Sequence, residues 1–389
     1  MSQESIVQNI QKKFNALFQQ TPQFFAAPGR INIIGEHTDY NEGFVLPAAI
    51  DKKIVFGMQK NDLKKFRFYS LDYDEYQEFD SLTQNANAPL WTAYLLGVLA
   101  QFNEKGLDVS GIDCVFGGDI PLGAGLSSSA ALECGFAVGV NDLMNHKVGN
   151  YDLVKMAQKA EHEYAGVMCG IMDQYASVFG RRNQVFLLDC RTNTHQYFPF
   201  DTTEYSLLLI DTKVKHSLAS SAYNERRKEC AEGVAYFHSL DADISSLRDV
   251  SLEMIQQHSK KLNKKVYQRC KFVVEENARV IKATQALKQN DFKKLGQLIY
   301  QSHEGLQKEY EVSCPELDFL VDQSKKVATV LGARMMGGGF GGCTINLIHK
   351  DAIDDYQNQI ANNYQKEFHI RPDFYQVNID NGASAIKFE

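Results

Sequence analysis

Between Phe44 and Gly118 the chain reads as four short β-like runs, "FVLPAAI" at 44–50, "KIVFGMQ" at 53–59, "FRFYSL" at 66–71 and "GIDCVFGG" at 111–118. A single helical pattern, Trp91–Phe102, falls among them. Strands that follow one another in pairs before a helix arrives exclude strict βαβ alternation, and with it a doubly wound parallel sheet. An α+β fold is expected instead. Further on, Leu126–Leu143 and Tyr151–Tyr164 read as helices, 185–190 and 205–211 as strands, and the stretch from about 217 to 331 as mostly helical. The chain closes with a strand at 343–348, a polar helix near 351–366 and a strand near 373–378. Its 389 residues exceed a common domain size of roughly 100–150 residues, so two large units are expected, at 1–180 and 181–389, with no internal repeat and no long linker.

Charge and cysteine usage narrow the function classes. The 41 Lys and Arg against 48 Asp and Glu leave a net charge of −7, which opposes nonspecific attraction to nucleic acid or to an anionic membrane, so an anionic ligand needs a local site. Eight cysteines are scattered without a CxxC pair or a metal-like Cys/His cluster and read as reduced, mostly buried thiols. The N-terminus places Ile6, Ile10, Phe14 and Leu17 at helical spacing among polar residues, without the apolar core of a signal peptide. Nor does a run of about 18 apolar residues suggest a membrane span. A cytoplasmic protein is expected.

Four loops hold the chemistry. "RINIIGEHTDY", Arg30 to Tyr40, crowds Arg, Asn, Glu, His, Thr, Asp and Tyr around an apolar pair and one glycine. "PLGAGLSSSAALE", Pro121 to Glu133, sets two glycines and three serines ahead of a helix former. Free amides at such a helix N-terminus, with the positive end of its dipole, suit phosphate oxygens, and a serine hydroxyl can ligate Mg²⁺. The Walker lysine is missing, and an ordinary serine-capped helix has the same pattern. "GARMMGGGFGGCTINLI" contains GxGxxG at Gly337, Gly339 and Gly342. A helical segment, Glu316–Leu331, is expected before it and a strand after it, the reverse of a dinucleotide fingerprint, so the glycines serve a close backbone approach to a ligand or to another loop. "AEHEYAGVMCGIMDQYAS" carries Glu161 and Asp173. At ~100° per residue Glu161 falls about 80° from the centre of its helix's apolar stripe, where it either enters a cleft to hold a metal or is solvated. Asp173 is a lone charge among apolar neighbours, so it is either paired with a cation such as Arg30 or is a cap or satisfied core aspartate.

Taken together these residues resemble a known family. "GRINIIGEHTDYNEGFVLPAAI" (Gly29–Ile50) is similar to the galactokinase signature, "PLGAGLSSSAALE" to the nucleotide-binding motif of the GHMP small-molecule kinases, and "GARMMGGGFGGCTI" to their third motif, in the expected order. "GIMDQ" and "SAYNERRKEC" (Ser221–Cys230) also match galactokinases. The resemblance implies a two-lobed fold with the active site in the cleft, and transfer of the ATP γ-phosphate to the anomeric hydroxyl of α-D-galactose. It implies that Glu36, His37, Thr38, Asp39, Gly170, Asp173 and Tyr223 bind the sugar. It places Gly123, Ala124, Gly125, Leu126, Ser127, Ser128 and Ser129 around the phosphates, with Ser129 and Glu161 on Mg²⁺. Ser70 matches a nucleotide-contact position and Trp91 lines an adenine pocket on the same analogy. Asp173 would be the general base for the C1 hydroxyl and Arg30 the cation steadying it and the moving phosphoryl group. An arginine that stabilises the carboxylate also weakens it as a base, which fits a loose transition state with late proton loss.

The chain departs from the family pattern at Met168, where a proline is common, and at Met336, where a threonine is frequent. The rivals are an N-acetylgalactosamine kinase and a non-catalytic galactose sensor that engages a transcriptional regulator. "CGIMDQ" favours plain galactose, and the intact "GLSSSAA" loop with Asp173 and Arg30 favours turnover. The expected partners are the small molecules galactose and ATP, with no nucleic acid and no membrane, on a monomeric enzyme.

Overall fold

The computed structural model describes residues 3–83, 87–121, 123–215 and 219–387. Its strands run, in chain order, β1 (Gln23–Asn32), β2 (Phe44–Val45), β3 (Pro47–Lys60), β4 (Phe66–Ser70), β5 (Glu75–Phe79), β6 (Ile112–Gly118), β7 (Gln184–Asp189), β8 (Thr194–Pro199), β9 (Tyr205–Lys215), β10 (Val330–Met335), β11 (Gly341–His349), β12 (Asp373–Val377) and β13 (Ser384–Ala385). They form a six-stranded sheet in the order β13-β1-β3-β6-β4-β5, a four-stranded sheet β10-β11-β9-β12, and a three-stranded sheet β2-β7-β8. β4 and β6 pair in parallel, joined through β5 and the helix Leu90–Glu104, while the other pairs in the large sheet are antiparallel. The mixed sheet agrees with the α+β expectation.

The large sheet is covered on both faces, and β3 shows why its sequence is nearly all apolar. Ile54, Phe56 and Met58 enter the main core, where the helix Ser128–Leu143 packs through Phe136 and Val140, whereas Val55 faces the other way. Period-two alternation sends successive side chains to opposite faces, so a strand buried on both reads as a continuous hydrophobic run. The N-terminal helix Gln3–Phe18 covers the second face with Ile6, Val7, Ile10, Phe14 and Phe18. Each fully buried side chain of this size stabilises by roughly 1.5–3 kcal/mol. Leu17, expected on that stripe, is 37% exposed, and Phe18 takes its place. The eight cysteines are free, six of them buried.

Three expectations change with the structure. The helix expected over Glu316–Leu331 is helical only within Pro315–Ser324, and Val330–Leu331, its expected end, open strand β10 (Val330–Met335). The glycine run is therefore the tip of an antiparallel β10–β11 hairpin, and a dinucleotide fingerprint is still excluded because no helix follows the glycines. The expected helix Leu126–Leu143 begins at Ser128, because Ser127 lies in the left-handed region at φ 56°. The expected helix Tyr151–Tyr164 is α-helical only over Asn150–Ala160 and continues as a π-helical turn at Glu161–Ala165. The start of the helical stretch near 217 lies outside the described residues.

The two expected units are closely interwoven. β7 pairs with β2, and β13 returns to pair with β1. The main core runs from Phe25 through Val280 to Ile379. A second core gathers Phe237, Val273, Leu306 and Met335 among the helices of the C-terminal half.

Candidate active site

Arg30 leaves β1 just after an irregularity between Pro28 and Arg30, where the β1–β3 register shifts. The imide nitrogen of Pro28 has no hydrogen to give the ladder, and Gly29 lets the chain pass close to its neighbour, since a Cβ there would lie 2.7 Å from Leu126 O. Arg30 then reaches Asp173 in a fork. Nε donates to Oδ1 at 2.7 Å and a terminal nitrogen donates to Oδ2 at 2.9 Å. The other terminal nitrogen donates to Gly125 O at 2.6 Å, and the Arg30 amide to Leu126 O at 3.1 Å. Ser127 Oγ donates to Asp173 Oδ2. One arginine thus joins the signature strand, the glycine-serine loop and the acid that heads the helix Met172–Phe179.

Asp173 opens onto a cavity of about 340 Å³ whose lining includes Arg30, Glu36, His37, Asp39, Glu161, Gly170, Tyr223 and Gly337–Gly339. That size sits at the small end of the roughly 300–1,000 Å³ typical of ligand pockets. Asp39 approaches Gly170 so closely that any Cβ there would collide with its Oδ2. Burial first, and then the charge of Asp173, push Asp39 up to about 7. His37, at φ 63°, turns its ring into the cavity wall against Tyr223 and Tyr310, with ring centres 5.3 and 4.9 Å away. Its Nε2 faces Gly338 O at 3.3 Å and its Nδ1 faces the Tyr40 hydroxyl at 2.7 Å, which assigns the hydrogen to Nε2. Burial lowers it to about 3, so it is neutral at ordinary pH.

Two expected sugar contacts also hold the loop together. Glu36 Oε1 accepts from the Gly337 amide at 2.8 Å and from Arg334 at 3.0 Å, tying the signature loop to the glycine hairpin. Thr38 is wholly buried outside the cavity lining, and its hydroxyl faces the carbonyls of Gly35 at 2.9 Å and Phe44 at 2.6 Å. It shapes the loop.

On the phosphate side, Gly123 and Gly125 take φ of 78° and 74°, and Ser128 and Ser129 open the helix Ser128–Leu143. Ala124 and Leu126 are buried beneath the loop. The glycine hairpin lies against it: a Cβ at Gly337 would sit 3.6 Å from Gly125 O, and one at Gly342 would sit 3.9 Å from Ala124 O. Both alternatives left open by the sequence are present: a Cβ at Gly339 would collide with Val312 O, a close approach to another loop, and Gly337–Gly339 also line the cavity. Glu161, the first residue of the π-helical turn, lines the cleft and is 5% exposed, the first of the two alternatives its helix position left open. Burial and the nearby charge of Asp173 push the Glu161 carboxyl above the usual range, an effect the neighbouring Cys169 thiol and Ser129 hydroxyl partly offset. Gln174 donates to Glu161 at 2.6 Å. A hydroxyl beside a carboxylate that another acid repels fits a hard divalent cation that takes its remaining oxygens from phosphates. Among the described residues no group of three or more His, Cys, Asp or Glu forms a metal cage.

Ser70 and Trp91 are not brought to this cavity. Ser70 is wholly buried at the end of β4, and the Trp91 indole donates to Glu75 at 3.1 Å while packing edge-on against Phe116 in the main core. Conversely, the residues that brace the signature loop carry no signal in the sequence. Glu276, fully buried, accepts from the Gly35 amide at 2.9 Å, from Ser302 at 2.6 Å and from Arg279 at 2.6 Å. Asn277 accepts from the Phe44 amide at 2.8 Å, and Arg334 donates to the carbonyls of Ile33 and Asn32 as well as to Glu36.

A glycine-turned helix tip beside a paired acid, under a glycine hairpin from the other half, defines the GHMP kinase class. The chain matches the models for the GHMP kinases N terminal domain at residues 93–181 and the GHMP kinases C terminal at 283–366. The mevalonate kinase of Methanococcus jannaschii shares this fold at a TM-score of 0.63 and 16% identity, covering 93% of this chain and all of that one. Within the class the chain belongs to the galactokinase family. Residues 12–60 match the galactokinase galactose-binding signature. The chain is 42% identical over 360 residues to the galactokinase of Thermotoga petrophila, covering 92% of this chain and 99% of that one. It is 38% identical to that of Bacillus subtilis, covering 94% and 95%. The structure of Lactococcus lactis galactokinase complexed with galactose superposes at a TM-score of 0.94 with 33% identity, covering 98% of this chain and all of the other.

Proposed function

We propose that this chain is an ATP-dependent galactokinase that transfers the γ-phosphate of ATP to the C1 hydroxyl of α-D-galactose, giving α-D-galactose 1-phosphate and ADP. One observation carries the reading: the Arg30–Asp173 fork lines the cavity and is bonded to the glycine-serine loop through Gly125 O and Ser127 Oγ. The cleft lies between the units assigned to 1–180 and 181–389. Asp39, Tyr223, Asp173 and the Gly170 backbone face the sugar, with Glu36 and His37 as walls held in place by the protein, and Thr38 behind them. Selectivity follows from burial, because an inverted hydroxyl leaves a buried group unpaired, which costs several kcal/mol by order of magnitude.

In the transfer, O1 of the sugar bonds to the γ-phosphorus as the bond to the bridging oxygen breaks, and Asp173 accepts the O1 proton. Arg30 and Ser127 hold the carboxylate in one orientation, and the guanidinium faces the charge moving through the phosphoryl group. The amides of Gly123–Ser129 and the N-terminus of the helix Ser128–Leu143 cradle the phosphates. Ser129 and Glu161 would hold Mg²⁺, which when bound neutralises phosphate charge. Ser70 and Trp91 stay assigned to the adenine side by family analogy alone. None of the described helices is long and apolar enough to cross a membrane, and the unpaired thiols suit a reducing compartment, which supports a cytoplasmic enzyme.

Coupled ADP release tests the activity. Release is expected to depend on galactose and to fall sharply when the 2-acetamido derivative replaces it. Release that ignores added galactose, or prefers the derivative, overturns the proposal.

A further inference from the structure

The roof of the cavity is the segment Gly166–Gly170, of which Gly166, Val167, Cys169 and Gly170 line the space. Gly166, at φ 71°, forms one end, and Gly170, pressed against Asp39, forms the other. Little apolar packing holds the segment, since Val167 and Met168 are 45% and 50% exposed. Its Cys169 carbonyl accepts from His162 at 2.9 Å and from Gln158 at 3.3 Å, both from the helix that leads directly into the segment. The tie across the cleft is different. Arg227, on the helix Ala219–His238, donates to the Met168 carbonyl.

Helical spacing explains how Arg227 gets there. Tyr223 and Arg227 stand at i and i+4 on one helix face, so a side chain that enters the sugar cavity is followed one turn later by one that reaches over its edge. The guanidinium carbon lies 5.2 Å from the centre of the Tyr40 ring, and Tyr40 in turn bonds His37. The charge of Arg227 also favours the ionised form of Asp39. One arginine therefore touches the roof, the signature loop and the electrostatics of the floor.

We infer that Arg227 is a positioning residue that latches the Gly166–Gly170 roof to the Ala219–His238 helix and so sets how tightly and how long the sugar is held. The inference rests on reading the cavity as the sugar site. It does not make Arg227 part of the chemical step: a roof that closes over bound sugar excludes water and holds O1 near the acid, whereas the reacting groups belong to Asp173 and Arg30.

The test compares the wild type with Arg227→Met and Arg227→Lys by steady-state kinetics, and by hydrogen exchange of amides 167–169 with and without galactose. Arg227→Met is expected to raise the galactose KM about ten- to a hundredfold, the effect of losing one charge-assisted hydrogen bond, with kcat and the ATP KM nearly unchanged. Arg227→Lys should recover part of the loss, since it keeps a donor and the charge. In the wild type galactose should protect the roof amides, and in Arg227→Met that protection should shrink even if the variant is less stable overall. A wild type that phosphorylates galactose beside an Arg227→Met whose galactose KM stays within about twofold sinks the latch alone. Equal roof protection in both proteins does the same. A wild type without galactose-dependent ADP release removes the sugar reading first, and the latch with it.

Discussion

The signature loop and the phosphate loop meet at one arginine, yet they are built in opposite ways. From Ile33 to Phe44 the signature loop is fastened by side chains from far along the chain: Glu276 at the Gly35 amide, Asn277 at the Phe44 amide, and Arg334 at Asn32, Ile33 and Glu36. The phosphate loop is held through its carbonyls, with Arg30 bonding Gly125 O and Leu126 O. The first amides of the helix that follows have no acceptor within it. The difference matches the two ligands. A sugar is told from its epimers by where each hydroxyl points, which calls for a loop already rigid before binding. A triphosphate is recognised by charge and many amides at once, which needs a close backbone and little else.

Asp173, at the head of the helix Met172–Phe179, is held by Arg30 on the signature side and Ser127 on the phosphate side, so breaking it gives the largest effect. Asp173→Asn keeps a side chain of the same shape for Arg30 and Ser127 but loses the proton acceptor. Turnover should fall by about 10²- to 10⁴-fold, the usual contribution of a general base, while calorimetry shows a nucleotide analogue binding as before. Near wild-type turnover would overturn the assignment of Asp173.

A second contrast separates the two loops by stability. Arg334→Met takes the donor from Glu36 and from the carbonyls of Asn32, Ile33 and Met335 in a buried place. Breaking a buried ion pair from one side destabilises by roughly 3–5 kcal/mol, which denaturant unfolding can read. Ser129→Ala removes a partly buried hydroxyl at the phosphate side, and its stability should change by less than about 1 kcal/mol. Its expected signature is a higher Mg²⁺ requirement for nucleotide binding. Equal destabilisation by the two variants would erase the distinction between a braced loop and an open one.

The same distinction governs what the sequence revealed. Arg30, Asp39, Asp173 and the glycine-serine run were legible because their chemistry is local: donors, acceptors and glycines crowd into short stretches that few ordinary loops need. Glu276, Asn277 and Arg334 were silent, since each acts on backbone groups 233 or more residues away, Asn277 on Phe44 being the nearest, and a buried glutamate on a helix looks like any other glutamate. Glu161 was legible only as two alternatives, cleft or solvent, because its angle puts it at the edge of the apolar stripe and the choice depends on what packs across from it. The helix expected to reach Leu331 took in the first two residues of β10 because no glycine or proline between Ser324 and Leu331 marks the turn.

The smallest expected effect is also the one that measures how the loops talk to each other. Asp39 is a signature-loop acid whose proton is held up to about 7 by burial and then by the charge of Asp173. Between the ordinary carboxyl value near 3.8 and about 7 the folded protein keeps a proton that the unfolded chain has lost. Stability from this group is therefore lost as pH rises through that window. His37 acts in the other direction: with its folded value lowered to about 3 from 6.5, stability is lost as pH falls below 6.5. The two slopes oppose each other in wild type, so a single pH profile would hide both. The difference between Asp39→Asn and wild type isolates Asp39, because His37 is common to the two. In the absence of sugar, the melting temperature of Asp39→Asn should gain on wild type as pH rises from 5 to 7, by at most about 1–2 °C per pH unit for a chain of this size. If Asp173 contributes as argued, Asp173→Asn should flatten that gain by lowering Asp39 towards its ordinary value. Parallel profiles for wild type and Asp39→Asn would mean that neither burial nor Asp173 raises Asp39, and a gain left unchanged by Asp173→Asn would mean that the sugar loop does not feel the charge beside the phosphate loop.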